Sequence, residues 1–156
     1  RRWKTRDMKN QRKPLESFKI VVDTREQLFY HYKNEPWEFG KLDQCDYSVK
    51  GFENLIGVER KSKSDLFQTL GKGRERFFRE IKRMSPISSA IVIESDVYDI
   101  LLNPPPMSQM NPKSVVNTLI SITANYHIPV YFCGDRPFGK HVTLELLKKW
   151  YKKYRR

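Results

Sequence analysis

The sequence predicts an α/β fold with a central mixed sheet flanked by helices, and three observations carry that prediction. Short β-rich runs fill the first third of the chain, before any helical period appears. From Leu66 onward, helical and strand patterns alternate. One later strand, Ala90-Ile91-Val92-Ile93, is apolar throughout, as in a sheet covered on both faces. Strands first and helix–strand alternation afterwards is the pattern of a mixed sheet with helical layers. The 156 residues suit one domain with room for a real core.

Residues 1–15 are basic and lack any period, and they read as an arm with Trp3 as its apolar anchor; residues 16–156 form the domain. Phe18 to Val22 is β-rich and ends in a turn of three charges, Asp23-Thr24-Arg25-Glu26. Residues 27–40 read as a loop whose aromatics (Phe29, Tyr30, Tyr32, Trp37, Phe39) pack over the sheet or stack on bases. Asp43 to Lys50 predicts a second strand holding Asp46, and Gly51 to Asn54 a hairpin turn. Leu55, Ile56 and Val58 read as a short buried strand that ends at Glu59 and Lys61. Side chains two apart on a strand share a face, so Glu59 and Lys61 project together.

A helix follows, with Ser64 as the expected N-cap, Asp65 in the first turn, and Leu66, Phe67 and Leu70 as its apolar face. Gly71-Lys72-Gly73 breaks it, and Arg74 to Met84 forms a second helix carrying Phe77, Phe78 and Ile81. Asp96 to Leu102 is a short helix stopped by Pro104-Pro105-Pro106. Asn111-Pro112 starts a longer one, with Val115, Val116, Leu119, Ile120, Thr123 and Tyr126 at helical spacing. Ile128 to Phe132 is a last strand, and Pro129 at its start points to a sheet edge. Residues 140–156 predict an amphipathic helix with Val142, Leu146, Leu147, Trp150, Tyr151 and Tyr154 on one side. That aromatic face either closes the core of its own chain or, with the helix from Asn111, forms a homodimer interface.

Thirty Lys and Arg against eighteen Asp and Glu give a net charge of +12. The excess lies at the ends: residues 1–13 and 140–156 each carry seven bases and one acid. Basic ends around a balanced core predict a polyanionic partner, most simply nucleic acid. From Arg60 to Arg83 there are nine bases and three acids, and this face is expected to contact phosphate. Two isolated cysteines, Cys45 and Cys133, suit neither a disulfide framework nor a zinc site, and read as reduced and intracellular. No apolar run approaches the roughly 18 residues of a membrane span, so no membrane role is expected. The sequence opens at Arg1 rather than Met, which leaves room for a further domain outside it.

The chemistry centres on Asp46, Glu59 and Lys61. Hard divalent cations take carboxylate and carbonyl oxygens. Asp46, Glu59 and the backbone carbonyl of Arg60 could hold one, while Lys61 positions a water or stabilises developing phosphorane charge. A lone acid followed by Glu-x-Lys is common and equally fits surface ion pairs.

The longer pattern is more specific. Val22-Asp23-Thr24-Arg25-Glu26, Asp46-Tyr47, Glu59-Arg60-Lys61 with Asp65-Leu66 four residues on, and Gly73-Arg74 together resemble the XPF-type (ERCC-four-like) nuclease domain, over about Phe18 to Leu147. Met110 to Val115 looks like the short bacterial and phage members. The resemblance implies a restriction-endonuclease-like, PD-(D/E)XK fold and Mg²⁺-dependent DNA cleavage, with Mn²⁺ able to substitute, often at branch points in repair or recombination. It implies Asp46, Glu59 and Asp23 as metal ligands with the Arg60 carbonyl, and Lys61 as the catalytic lysine. Arg25, Glu26, Arg60 and Asp65 become a supporting shell, and Lys63, Lys72, Arg74, Arg76 and Arg79 the DNA contacts. Many members dimerise through this domain. No small-molecule substrate is implied, and the compartment is the nucleoid-containing cytoplasm of a bacterium or its phage, or the nucleus of a eukaryote. The sequence departs from the pattern at Cys45, where the family has Gly. No tandem helix-hairpin-helix repeat is read here, so either the basic ends take over its DNA-binding role or that domain lies outside this sequence. Two alternatives stay open: a non-catalytic DNA-binding scaffold, and a sequence-specific endonuclease of a mobile element or restriction system.

Overall fold

A computed structural model describes residues 16–155, so the basic arm expected at 1–15 lies outside the described residues. Six strands form one sheet: β1 (Ile20–Asp23), β2 (Trp37–Gly40), β3 (Tyr47–Val49), β4 (Ile56–Lys61), β5 (Ser88–Ile93) and β6 (Val130–Phe132), in the order β2-β1-β3-β4-β5-β6. β3 runs antiparallel to both β1 and β4, and the other neighbours are parallel, so the sheet is mixed as expected. The parallel pairs need crossovers. Helices α1 (Lys63–Leu70) and α2 (Arg74–Met84) carry β4 to β5, and α3 (Val97–Leu102) and α4 (Pro112–Tyr126) carry β5 to β6. The chain closes with α5 (Arg136–Tyr154).

The two-residue period of the strands divides the core in two. Ile91 and Ile93 of β5 join Leu66, Phe67, Leu70, Phe77, Ile81 and Leu119 from α1, α2 and α4. Ile20, Val22, Tyr47, Ile56, Val58 and Val92 face the other way, toward Leu147 and Tyr151 of α5. The continuous apolar run of β5 is therefore buried on both sides. The aromatic end of α5 closes the core of its own chain: Tyr151 is buried edge-on against Phe18, and Tyr154 stacks on Phe52.

Several local expectations are corrected. Residues 37–40 are an edge strand rather than loop, held by parallel pairing to β1. The strand around Asp46 is only Tyr47–Val49, with Asp46 immediately before it. Leu55 precedes β4 and is exposed. The N-cap of α1 is Ser62, whose Oγ accepts from Asp65 N at 3.2 Å, because β4 ends at Lys61 and the helix starts two residues earlier than expected. Ile120 faces outward, and Ile122 fills the core instead. α5 begins at Arg136 behind an Asp135 cap, four residues before the expected start. Among the described residues no helix is long and apolar enough to cross a membrane.

Cys45 and Gly57 fit together as a pair. Cys45 has φ 67°, the left-handed region that favours glycine, and its side chain is buried in the space above Gly57. A Cβ on Gly57 would stand 2.6 Å from Cys45 Sγ and 3.0 Å from its Cβ. Gly57→Ala is expected to cost about 1–3 kcal/mol in urea unfolding, as overpacking does, and much less in a Cys45→Gly background. Equal losses in both backgrounds would contradict the pairing.

Candidate active site

The strand period brings four predicted residues to one face at one end of the sheet. With Ile20 and Val22 turned toward α5, Asp23 points to the α1–α2 side. By the same alternation Asp46 precedes Tyr47 on that side, and Glu59 and Lys61 follow Val58 onto it. Hydrogen bonds fix the register: Asp46 N donates to Val58 O at 3.0 Å, and Asp23 N donates to Asp46 O at 2.9 Å. The Arg60 N–H then donates to Asp46 Oδ2 at 2.8 Å, locking that carboxylate against β4.

Asp46 and Glu59 lie within hydrogen-bonding reach of one another. Burial, aided by the charge of Glu26, pushes Asp46 up to about 6, against the hydrogen bonds from Glu59 and Arg60 N. Burial, then the charges of Asp46 and Glu80, push Glu59 well above the usual carboxylate range. Two desolvated carboxylates side by side cannot both ionise cheaply, so the pair holds a proton or needs a cation. Lys61 Nζ is 3.9 Å from Glu59 Oε2 and 5.4 Å from the centre of the Phe77 ring. The donor set suits a hard divalent ion: oxygen ligands, excess negative charge and partial burial. Among the described residues no three His, Cys, Asp or Glu side chains converge as a metal cluster, so the site is a pair. Asp23 stands beside it with both oxygens engaged, Oδ2 by Arg25 Nε at 2.8 Å and Oδ1 by Leu42 N at 3.0 Å.

The expected supporting shell divides between the two faces of the sheet. The Arg60 side chain points away from Glu59, into the α5 side. There Nε and Nη2 reach both oxygens of Glu26 at 2.9 and 3.0 Å, and Nη1 reaches Glu94 Oε1 at 2.8 Å. Glu94 Oε2 accepts from Tyr30 OH at 2.6 Å and from Arg136 Nη1 at 3.3 Å. Burial works against the Arg60 charge, but the hydrogen bond and field of Glu26, with Glu94, more than offset it and hold its pKa up. Burial and the Glu94 hydrogen bond likewise keep the Tyr30 phenol protonated. Arg25 also donates to Leu42 O. Asp65 sits in the first turn of α1.

A cleft opens beside the pair at Lys61, lined among others by Arg25, Lys61, Arg76, Phe77, Glu80 and Arg83, with neither acid in its lining. Of the predicted DNA contacts, Arg76 lines it. Lys63 is tied to Asp99 of α3 at 2.9 Å, Arg74 lies over the Phe78 ring, and Lys72 and Arg79 are exposed. Glu80 is not among the residues that the sequence singles out, and Arg83 enters only as the end of the basic Arg60–Arg83 face. Their signal is the spacing of Arg76, Glu80 and Arg83, four and three apart on one face of α2. Sequence reasoning also misses Glu94, Arg136 and Tyr30 as members of a charged network, and only the acid ending an otherwise apolar strand hints at Glu94.

A family model described as the ERCC4 domain matches residues 6–144. Over 118 residues, 74% of this chain, the sequence is 31% identical to the 3'-flap repair endonuclease Xpf of Saccharolobus solfataricus; that alignment spans 45% of the relative, so less than half its length. The structure of XPF from Aeropyrum pernix aligns with a TM-score of 0.63 at 21% identity, covering 88% of this chain and 66% of that one. The same protein in complex with DNA aligns at 0.64 and 22% identity, covering 87% and 66%. At such identity the likeness shows the fold, a restriction-endonuclease-like mixed sheet flanked by helices.

Proposed function

Because the chain belongs to the ERCC4 domain family, we propose that it hydrolyses DNA phosphodiester bonds with Mg²⁺ or Mn²⁺, selecting branched or forked DNA in repair or recombination. The observation that carries this reading is half-buried Asp46 and buried Glu59 beside Lys61, which itself lines a cleft with Arg25, Arg76 and Arg83. The carboxylates of Asp46 and Glu59, with the Arg60 carbonyl, would hold the ion. When bound, it supplies Lewis-acid polarisation of the scissile phosphate. Lys61 donates hydrogen bonds to the phosphate and offsets the charge that develops on it. Arg76 and Arg83 hold flanking phosphates and carry no sequence information themselves. The branched substrate is supported by the name of the S. solfataricus relative, a 3'-flap repair endonuclease.

The direct test is to incubate one preparation with fork, flap and linear duplexes in Mg²⁺ and in EDTA. Metal-dependent cuts near the branch are expected. Cutting of all three at a common sequence would point to a restriction-type enzyme, and binding without cleavage in Mg²⁺ or Mn²⁺ to a scaffold.

Charge placement makes a further prediction. Deleting residues 1–13 removes seven bases and no residue of the site. Each lost phosphate contact should flatten the slope of log K against log salt by about 0.9 on duplex DNA. Turnover at saturating DNA should stay close to that of the full chain, whereas Arg76→Ala should lower turnover as well. An unchanged salt slope would move the DNA track onto the Arg60–Arg83 face alone.

A further inference from the structure

We propose that Glu80 is a positioning residue of the metal site: its carboxylate clamps the strained turn at Cys45 and so holds Asp46 where it can share a cation with Glu59. This rests on the metal-dependent reading above. Cys45 directly precedes Asp46 and has φ 67°. A side chain with a Cβ in that region costs roughly 1–2 kcal/mol, and such a conformation persists only where its surroundings over-determine it. Two contacts do so here. The Cys45 side chain fills the space above Gly57, and the Cys45 N–H donates to Glu80 Oε1 at 3.1 Å.

Beyond the turn, Asp46 is held through its N–H to Val58, its C=O from Asp23 and its Oδ2 from Arg60. Glu80 supplies the hold on the other side of the bend. It comes from α2, so the clamp joins the helix that lines the cleft to the end of the sheet that carries the acids. A hydrogen bond from an N–H to a charged acceptor is among the stronger kinds. Glu80 Oε1 is engaged by the Cys45 N–H, and this contact is what assigns Glu80 to positioning.

The experiment is Mn²⁺ binding, followed by the spin resonance of the free ion, in the full chain without DNA. Glu80→Ala is expected to weaken Mn²⁺ about tenfold, the scale of losing a group that orients a ligand. Glu80→Gln keeps an acceptor for the Cys45 N–H and should stay within about twofold of wild type, a rescue that neither ligation nor a charge effect allows. In a Cys45→Gly background the turn needs no clamp, and adding Glu80→Ala should change the affinity less than about twofold, the signature of two coupled positions. That pair also carries the comparison if Glu80→Ala alone does not fold. A Glu80→Gln loss as large as that of Glu80→Ala would overturn the proposal, as would a tenfold loss persisting in the Cys45→Gly background or no loss in either. Wild-type Mn²⁺ affinity in Asp46→Ala is a separate outcome: it would overturn the metal reading itself, and this proposal with it.

Discussion

Glu59→Ala is expected to lower Mg²⁺-dependent cleavage by at least about a thousandfold, about 4 kcal/mol of transition-state stabilisation, while DNA affinity changes by less than about threefold. Asp46→Ala should do the same. On the proposed reading phosphate contacts come from the cations that line the cleft, and neither acid is in that lining, so the two losses separate. Single-turnover rates beside binding curves in Ca²⁺ would measure both. Substantial Mg²⁺-dependent cutting by Glu59→Ala would sink the assignment. A stability effect of opposite sign accompanies the loss. Both carboxyls have pKa values above those of an unfolded chain, so between about pH 4 and 6 the native state holds protons that the unfolded state has released. Stability of the metal-free protein therefore falls as pH rises through that window, by up to about 1.4 kcal/mol per pH unit for each proton retained. Above about pH 6, Mn²⁺ is expected to restore it on the proposed metal reading, by binding the native pair and not the unfolded chain. Glu59→Ala removes one of the coupled acids, so its urea-unfolding free energy in EDTA should depend less on pH and respond little to Mn²⁺.

The parts of this fold that are legible in the sequence are those whose signals are local. α2 is readable from end to end because Gly71 and Gly73 mark its start and Phe77, Ile81 and Met84 recur at helical spacing. The start of α4 is readable in the same way, since Asn111 caps it and Pro112 opens it. Glu59 and Lys61 are readable as a pair because a strand period needs no tertiary information. β2 is not: Trp37 to Gly40 alternates too briefly to separate from loop, and its ladder partners on β1 lie 17 residues away. The cap of α1 is ambiguous because Ser62 and Ser64 both carry the signal, and only the length of β4 decides between them. Glu80 is hidden among the bases of its helix; the crossover from β4 to β5 is what lays that face of α2 over Cys45. The network around Arg60 draws Glu26, Tyr30, Glu94 and Arg136 from separate segments, and no spacing rule connects them.

Arg60→Ala is expected to destabilise the fold by about 3–5 kcal/mol, the scale of removing one partner from a buried ion pair. The side chains of Arg60, Glu26 and Glu94 are 5%, 8% and 8% exposed. Without the guanidinium, Glu26 loses both of its short ion contacts, and Glu94 keeps only Tyr30 and the longer contact to Arg136. Arg60→Lys should recover only part of the loss, because one ammonium cannot reproduce a fork that reaches both oxygens of Glu26 and one of Glu94. Adding Glu26→Gln and Glu94→Gln to Arg60→Met should cost less than Arg60→Ala alone, since no charge then remains without a partner. Urea unfolding checks this, and a loss below about 1 kcal/mol for Arg60→Ala would show the network to be dispensable. Strand β4 needs that anchor for a chemical reason. It presents Glu59 and Lys61 on one face, and its Arg60 N–H holds Asp46, so any slip of the strand would separate the two acids. The fork of Arg60 on the opposite face, gripping the segments around Glu26 and Glu94, resists that slip without placing a competing cation beside Asp46 and Glu59.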